Sequence, residues 1–375
     1  MNTLADLPLL HGARVLVRVD YNVPIVGNRI RDTRRITASY KTIDTVLKKG
    51  GTPILIAHRG DAKDSLKPVA TFLKKKYNTV FVTTDITTVA VHNELTRIPK
   101  KTVVLLENIR RYEGEGKNDV SFVKHLASLG SYYINDAFSV SHRKHASVVG
   151  LPKKLPAYCG AQLSIEIATL AKVINQPKHP FVFILGGAKC STKIPLVKRF
   201  VASADSVIVA GAIANNFFAA KGFEVGNSVV ESGYEKEITA LLKQPSVLVP
   251  IDVVVERKTK HIACTLDDIE PQDVIVDIGP QTTALIEEKI AKAKLVVWNG
   301  PTGWYEKGYT RMTTDIARSI AQSKASAVIG GGDTGAVVET ALSKTPSKKV
   351  YISTGGGATL AYLTKGTLPG IAALK

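Results

Sequence analysis

The stretch VIGGGDTGAVV, from Val328 to Val338, joins an apolar run to a helix-like pattern through three consecutive glycines. A second stretch of the same kind, YISTGGGATLAYL, runs from Tyr351 to Leu363. Each places bare backbone between a predicted strand and the first turn of a predicted helix. Unpaired N–H groups and the positive end of the helix dipole favour a phosphate group at such a turn. The two stretches therefore predict strand–loop–helix units with anion sites at the strand ends.

Short runs of Val, Ile and Leu alternate with amphipathic stretches of helix length along almost the whole chain. This alternation is typical of βα units around parallel sheets, and a length of 375 residues is typical of two domains. We therefore predict an α/β fold of two doubly wound, Rossmann-like parallel-sheet domains. The predicted strands are ARVLVRVD, TPILIAH, TVFVTT, TVVLLEN and SYYINDAF in the first half, and FVFILGG, SVIVAGA, SVLVPIDVVVE, KLVVWNG, SAVIGGG and KVYISTGGG in the second.

The boundary between the predicted domains lies in ASVVGLPKKLPAYCG, from Ala146 to Gly160, where two lysines separate two prolines. The helix pattern QLSIEIATLAKVINQ follows directly and would join the halves as a hinge helix. We expect a first domain of residues 1–155, a second domain of residues 156–359 and a cleft between them.

The formal net charge of +18 indicates either a polyanionic partner or a small, highly anionic substrate. The positive residues are dispersed and are not interleaved with aromatic residues, so nucleic acid is not expected as the primary partner. No apolar run reaches 18 residues, and the first residues lack the features of a secretory signal, so no membrane segment is expected. The three cysteines lie far apart, which favours a reducing cytoplasm.

Polar and positively charged residues follow the predicted strands of the first half. In open parallel sheets, ligands bind beyond the carboxyl ends of the strands. Arginine forks form paired hydrogen bonds with phosphate and carboxylate groups, so several arginines at successive strand ends predict a small ligand with more than one anionic group. The residues concerned are Arg18, Asp20, Asn22, Arg34, Arg35, His58, Arg59, Arg110, Arg111 and Arg143.

Glycine follows the predicted strands of the second half, notably at Gly186, Gly187, Gly211, Gly300 and Gly303. Lys193 falls in the first turn of a predicted helix, where it would oppose the helix dipole unless an anion lies there. Asp333 follows the first glycine run and could either cap the helix or hold Mg²⁺ on a nucleotide phosphate. The pattern is neither a Walker A loop nor GxGxxG. One half that binds anions through arginine and another that binds phosphate through backbone predict a phosphotransferase that closes around its substrates.

Seven blocks of the sequence resemble, in order, the signature blocks of the phosphoglycerate kinase family. They are RVDYNVP, ENIRRY, INDAFSVSHRKHASVVG, ILGGAKCSTKI, VVWNGPTGWYE, IGGGDT and STGGGATL. The resemblance covers essentially the whole chain. It implies the reversible transfer of a phosphoryl group from 1,3-bisphosphoglycerate to ADP, which gives 3-phosphoglycerate and ATP with Mg²⁺ as cofactor. It also implies a cytoplasmic monomer with hinge bending, whose tail, about 360–375, returns to the first domain.

The resemblance implies a role for each matching residue. Arg35 and Lys189 would neutralise the transferring group, Glu306 would bind the ribose, and Asp333 would hold Mg²⁺. The phosphoglycerate would be held by Asp20, Asn22, Arg35, His58, Arg110 and Arg143. The nucleotide would be bound by Lys193, Gly211, Asn299, Glu306, Gly331, Gly332, Asp333, Thr334, Gly355, Gly356 and Gly357.

One block departs from the family pattern. The family reads His-x-Gly-Arg after the second strand, whereas this chain reads His58-Arg59-Gly60-Asp61, with the opposite charge at the fourth position. We hypothesise that Arg59 supplies the missing guanidinium to the substrate. The departure and the positive charge also leave two other functions open: a kinase-like scaffold with impaired catalysis that binds polyanions, and a kinase for a different acyl phosphate.

Overall fold

The computed structural model describes residues 1–27 and 29–375, which divide into two compact units. Unit 1 comprises Met1–Ala168 and Thr367–Lys375, and unit 2 comprises Thr169–Gly366. The division falls inside one helix, α7 (Ala161–Asn175), which is the helix that the sequence pattern predicts at the junction. The sequence-based division placed the junction before this helix, at residues 155 and 156.

Unit 1 is built on a six-stranded parallel sheet. Its strands are β1 (Arg14–Arg18), β4 (Thr52–Ile56), β5 (Thr79–Val82), β6 (Val103–Leu106), β7 (Tyr132–Asn135) and β8 (Ala157–Cys159), and a two-stranded ribbon is formed by β2 (Ile25–Val26) and β3 (Arg29–Ile30). The order in the large sheet is β5-β6-β4-β1-β7-β8. The helices before α7 are α1 (Arg34–Ala38), α2 (Tyr40–Lys48), α3 (Lys67–Leu73), α4 (Val89–Thr96), α5 (Glu113–Lys117) and α6 (Val120–Ser128).

Unit 2 contains a second six-stranded parallel sheet. Its strands are β9 (Phe181–Leu185), β10 (Ser206–Val209), β11 (Val247–Leu248), β15 (Leu295–Asn299), β16 (Ser326–Gly330) and β17 (Val350–Ile352). The order is β11-β10-β9-β15-β16-β17. Its helices are α8 (Cys190–Phe200), α9 (Ile213–Ala220), α10 (Glu235–Leu242), α11 (Pro280–Lys292), α12 (Arg311–Gln322), α13 (Gly332–Lys344) and α14 (Gly356–Lys365).

Both parallel sheets have strands that are buried on the two faces, as near-continuous apolar runs require. All five residues of β9 and all five of β15 are buried. The two doubly wound sheets confirm the predicted fold class. None of the helices in the described ranges is long and apolar enough to cross a membrane.

A three-stranded antiparallel sheet in unit 2 departs from the all-parallel prediction. It consists of β12 (Asp252–Arg257), β13 (Lys260–Thr265) and β14 (Val274–Ile278), in the order β13-β12-β14. The run SVLVPIDVVVE, predicted as one strand, is therefore two strands in two sheets. Pro250 separates them, because proline has no N–H to donate within a strand.

The last residues of the chain pack within unit 1. A short helix, α15 (Pro369–Ala372), follows β17 and α14, and its Gly370 N–H donates to Ser141 O at 2.8 Å. A Cβ at Gly370 would lie only 2.6 Å from Val148 Cγ1. The C-terminal segment is thus held by close backbone packing.

Candidate functional site

The chain reverses its winding direction between β1 and β7 in unit 1 and between β9 and β15 in unit 2. Ligands of doubly wound sheets bind at these switch points, beyond the carboxyl ends of the strands. In unit 1, Asp20 follows β1 and Asp136 follows β7. In unit 2, Gly186 follows β9 and Gly300 follows β15. The predicted site residues of the two halves therefore surround the switch points of the two sheets.

His58 lies at the centre of the positive cluster in unit 1. Its side chain is buried, and its Nδ1 lies 3.1 Å from Arg18 Nη2. Burial lowers the pKa of His58 to about 2. Four guanidinium groups add to this effect, in decreasing order Arg18, Arg110, Arg143 and Arg35. The fold thus brings together the arginines that the sequence separates by more than a hundred positions, and it keeps His58 neutral.

Arg35 is held at the rim of unit 1 by residues from the loop after β1. Its Nη1 lies 3.2 Å from Asp20 Oδ2 and donates to Asn22 O at 3.0 Å. The Asn22 side chain accepts a hydrogen bond from Gly60 N–H at 2.9 Å, which links this loop to the one after β4. A carboxylate and a carbonyl therefore hold the Arg35 fork while about 29% of the side chain stays exposed.

The loop that carries Arg59 is organised by Asn108, a fully buried residue after β6. The Asn108 amide nitrogen lies within 2.8 Å of the carbonyl oxygens of Arg59, Asp61 and Asp64. Within the loop, Arg59 Nη1 forms an ion pair with Asp64 Oδ1 at 2.6 Å. Arg110 contributes by donating from Nη1 to Gly60 O. The loop is consequently tied to the carboxyl end of β6, where Arg110 lies.

Backbone segments approach each other closely at the switch point of unit 2. Gly186 N–H donates to Asn299 O at 2.9 Å, and Gly187 N–H donates to Pro301 O at 3.1 Å. Gly300 has φ of +90°, and a Cβ there would lie 2.3 Å from Gly186 O. No side chain larger than hydrogen fits at this crossing, so these glycines are required by the contact itself.

Lys193 lies in the first turn of α8 with its ammonium group buried. Its Nζ donates to Asn299 Oδ1 at 2.6 Å, and burial lowers the pKa of Lys193 to about 8. Lys189, which precedes the helix, is exposed. The helix N-terminus also binds a carboxylate, since Cys190 N–H donates to Glu231 Oε2 at 2.7 Å. Lys193 and the N-terminus of α8 thus lie beside the glycine crossing, and Lys189 directly precedes the helix.

A cavity of about 590 Å³ opens beside Lys193 in unit 2. Its lining includes Gly187, Gly300 and Asp333 together with many apolar residues. The predicted residues that line this cavity are Lys193, Gly211, Glu306 and Asp333, and its apolar wall includes Ala214, Phe218, Val229, Pro250, Val253, Val276 and Ile278. A flat apolar base with an anionic tail would match this combination of apolar, backbone and charged groups.

The two glycine runs lie against each other. The helix α13 begins at Gly332 after Gly331, whose φ is +105°, and a Cβ at Gly356 would lie 3.2 Å from Gly331 Cα. Gly355 precedes α14, and Gly357 lies in its first turn. The Thr334 hydroxyl is buried and has no hydrogen-bond partner in the described part of the chain. The two helix N-termini therefore form one anion-binding surface.

Asp333 fits a magnesium site that includes substrate phosphates. It is exposed in the first turn of α13 and lines the cavity. Within residues 1–27 and 29–375, no cluster of three acidic, histidine or cysteine residues could form an all-protein metal site. Mg²⁺ usually binds through one or two carboxylates together with phosphates and water, so a single carboxylate beside an anion-binding surface is compatible with this ion.

The phosphoglycerate kinase family model matches residues 4–366, almost the entire chain. The chain belongs to the phosphoglycerate kinase family. Its sequence is 39% identical over 389 residues to the phosphoglycerate kinase of Dictyoglomus turgidum, with 98% of this chain and 96% of the relative covered. The phosphoglycerate kinase of Xanthobacter flavus is 37% identical over 393 residues, with 100% of this chain and 98% of the relative covered.

Solved phosphoglycerate kinase structures have the same fold. The Coxiella burnetii structure superposes with a TM-score of 0.83 at 31% identity, covering 99% of this chain and 97% of that one. The Pyrococcus horikoshii structure gives a TM-score of 0.85 at 27% identity, with 100% and 98% covered. The chain is accordingly a phosphotransferase of glycolysis that moves a phosphoryl group between 1,3-bisphosphoglycerate and ADP. The comparisons do not favour the polyanion-binding scaffold.

Two residues near the candidate sites escape prediction from sequence. Asn108 organises the Arg59 loop, but a lone asparagine after a strand gives no sign of its three carbonyl partners. Trp304 lines the cavity with about 38% of its surface exposed, and Lys307 Nζ lies 4.0 Å from its ring centroid. The signal for Trp304 is its exposed indole beside the cavity, and this exposure is known only from the structure.

Proposed function

We propose that the arginine cluster of unit 1 binds phosphoglycerate and that the cavity of unit 2 binds ADP or ATP. The observation that carries the proposal is the convergence of four guanidinium groups on the neutral His58, which follows β4, the strand that neighbours β1 in the parallel sheet. A cluster of charges of one sign in a cleft favours an anionic ligand, because such a ligand offsets their mutual repulsion. Phosphoglycerate, with a phosphate and a carboxylate, offers two such anionic groups.

The reaction needs positioning and charge neutralisation rather than a protein base. In the direction that consumes ATP, a carboxylate oxygen of 3-phosphoglycerate attacks the γ-phosphorus, the new O–P bond forms, and the bond to the ADP oxygen breaks. The carboxylate is already ionised at neutral pH, so no proton has to be removed. We assign Arg35 and Lys189 to the charge that develops on the transferred group, because fixed cations stabilise such a transition state.

The remaining predicted residues of unit 2 position the nucleotide in this proposal. The apolar wall of the cavity takes the base, with Gly211 beside it, and Glu306 accepts hydrogen bonds from the ribose. Lys193 and Asn299 meet the phosphates together with the helix N-termini. The backbone and hydroxyl donors at those termini come from Gly331, Gly332, Thr334, Gly355, Gly356 and Gly357.

Mg²⁺ is part of the proposal, with Asp333 as its protein ligand. When bound, the ion would neutralise phosphate charge on the nucleotide. A monomer in a reducing cytoplasm is also proposed. The family resemblance supports the monomer, and the absence of disulfides among Cys159, Cys190 and Cys264 supports the reducing compartment.

Neighbouring arginines provide the decisive experiment. Arg35→Ala is expected to lower kcat for 3-phosphoglycerate phosphorylation by a factor on the order of 10³, since a cation at the transferred group contributes that much in related chemistry. Arg34→Ala is the matched control, because Arg34 pairs with Asp32 at 2.6 Å and is about 42% exposed. A coupled ATP assay measures both variants. Equal rates for the two variants would contradict the proposed site.

A further inference from the structure

The hydrogen bond between Arg18 and His58 limits the protonation state of the imidazole. Arg18 Nη2 lies 3.1 Å from His58 Nδ1, and both side chains are almost completely buried. A guanidinium group has only donors. Nδ1 must therefore accept, which places the proton of the neutral ring on Nε2. The other tautomer would bring two N–H groups face to face.

Arg18 has little freedom to turn away from His58, because its other two nitrogens also form hydrogen bonds. Nε donates to Ser147 Oγ at 2.9 Å, and Nη1 donates to Val19 O. Ser147 in turn donates from Oγ to Glu115 Oε1 at 2.6 Å and from its backbone N–H to Glu115 Oε2 at 2.9 Å. A buried carboxylate, a serine and a guanidinium thus form a continuous chain that ends at His58.

We propose that Arg18 is a positioning residue that holds His58 with its proton on Nε2, and that the Ser147–Glu115 pair holds Arg18 in place. The tautomer decides how His58 meets an anion. An Nε2–H group donates to a phosphate or carboxylate oxygen, whereas a bare Nε2 lone pair repels it. The inference rests on the proposed role of His58 in binding phosphoglycerate.

Arginines on four neighbouring parts of the chain oppose the protonation of His58. Arg18 lies on β1, Arg35 on α1, Arg110 after β6 and Arg143 after β7, and all four lower the pKa of the ring after burial itself. The counterion Glu115 is bonded to Ser147 and lies 3.7 Å from His145 Nδ1. His58 accordingly acts as a neutral donor rather than as an imidazolium.

The tautomer can be observed directly in the full-length protein. Long-range ¹H–¹⁵N spectra of protein labelled with [¹⁵N]histidine distinguish the two neutral tautomers and the imidazolium, and His58→Gln assigns the signal by its disappearance. We expect the Nε2–H pattern, unchanged between pH 5.5 and 8.5. An Nδ1–H pattern or an imidazolium at pH 7 would overturn the proposal without any reference to activity.

Variants then test what the tautomer does. Arg18→Met removes the donor to Nδ1, so we expect His58 to show mixed tautomers and the KM for 3-phosphoglycerate to rise about tenfold or more, since a charge-assisted hydrogen bond is affected. The KM for ATP is expected to stay within about twofold. Arg14→Met, at the opposite end of β1, is the matched control. An unchanged tautomer and an unchanged KM in Arg18→Met would refute the role of Arg18.

Two further variants separate this inference from the proposed function. Ser147→Ala keeps both Arg18 and His58 but removes the hydroxyl that links Arg18 to Glu115. We expect the tautomer and the KM for 3-phosphoglycerate to shift in the same direction as in Arg18→Met, but less. This variant replaces Arg18→Met if Arg18→Met does not fold. His58→Gln keeps an N–H donor near the Nε2 position and should retain a lower KM for 3-phosphoglycerate than His58→Ala. If the Nε2–H pattern is seen but His58→Ala leaves this KM unchanged, the substrate role of His58 is wrong while the tautomer assignment stands.

Discussion

The guanidinium of Arg59 forms an ion pair within its own loop. Its Nη1 pairs with Asp64 in the same loop, and its buried Nε has no hydrogen-bond partner in the described residues. The Arg59 side chain is about 19% exposed, so the ion pair is partly shielded from water and the group is not simply solvated. The loop therefore holds this cation close to Arg110, which bonds to the same loop. Substrate binding by Arg59 in place of the arginine absent at Asp61 stays a prediction, and it requires Arg59 to exchange or share its carboxylate partner.

The hypothesis predicts different effects for the two neighbouring charges. Arg59→Ala should raise the KM for 3-phosphoglycerate about tenfold, the size expected for one charge-assisted hydrogen bond. Asp61→Ala should change this KM less than about twofold. Steady-state kinetics at saturating ATP measures both. Small and equal effects would show that the family arginine has no replacement in this loop.

Lys193 predicts a pH dependence of nucleotide binding. Burial lowers its pKa to about 8, so the ammonium loses its proton as the pH rises from 7 to 9 and its attraction for phosphate falls. We expect the Kd of ADP to increase about tenfold over this range, and proton uptake on binding near pH 8.5. Calorimetry in buffers of different ionisation enthalpy measures both quantities.

A matched pair of lysine variants isolates the effect of Lys193. Lys193→Arg carries a charge that does not titrate in this range, so its ADP affinity should be nearly independent of pH even if it is weaker overall. Lys198→Arg, on the exposed side of the same helix, should behave like the unaltered protein. A pH dependence that persists in Lys193→Arg would assign the titration to another group.

At the scale of single elements, α7 depends on a carboxyl group that precedes it by 25 residues. Asp136 Oδ1 accepts from the N–H groups of Gln162 and Leu163 at 2.8 and 3.2 Å, and burial raises the pKa of Asp136 to about 7. Because the folded pKa is raised, the stability contributed by the protonated group is present below about pH 4 and is lost as the pH rises through 7.

Substitution of Asp136 should separate capping from charge. Asp136→Asn keeps an acceptor for the two N–H groups and cannot ionise. The free energy of unfolding of this variant minus that of the unaltered protein should therefore increase by on the order of 1–3 kcal/mol as the pH rises from 4 to 7. Asp136→Ala loses the acceptor and should be destabilised by about 1–2 kcal/mol. Chemical denaturation at pH 4.5 and 7.5 measures these differences. A pH-independent difference for Asp136→Asn would contradict the assigned titration.

The strands also differ in whether they can be predicted from the sequence. The buried strands β9 and β15 are predictable, since their apolar runs have no other place in a folded chain. The strand β13 was missed because its residues are exposed or half-buried and mix polar with apolar side chains, and its place is decided by pairing with β12 across a tight turn. Such a strand is defined by its partner rather than by its own pattern.

At the scale of the whole molecule, each substrate should slow hydrogen exchange in the unit that we propose it binds. With ADP and Mg²⁺ bound, hydrogen exchange is expected to slow in residues 187–193, 300–307 and 331–335 of unit 2, because these backbone groups face the nucleotide in the proposal. With 3-phosphoglycerate alone, residues 20–22 and 58–60 of unit 1 should be protected. Exchange measured by mass spectrometry tests the assignment, and the reverse pattern would exclude it.

The sequence by itself determined the alternation of strands and helices, the division into an arginine-rich and a glycine-rich half, and the residue types at the strand ends. These properties are local, because the periodicity of burial and the conformation of turns depend on residues that are close in sequence. Only the tertiary structure decided that β1 neighbours β7 and that Gly300 crosses Gly186. It also decided that Arg18 and its buried partners keep His58 neutral. Contacts between distant segments, and the pKa values that follow from them, depend on which strands meet, and no local pattern specifies that.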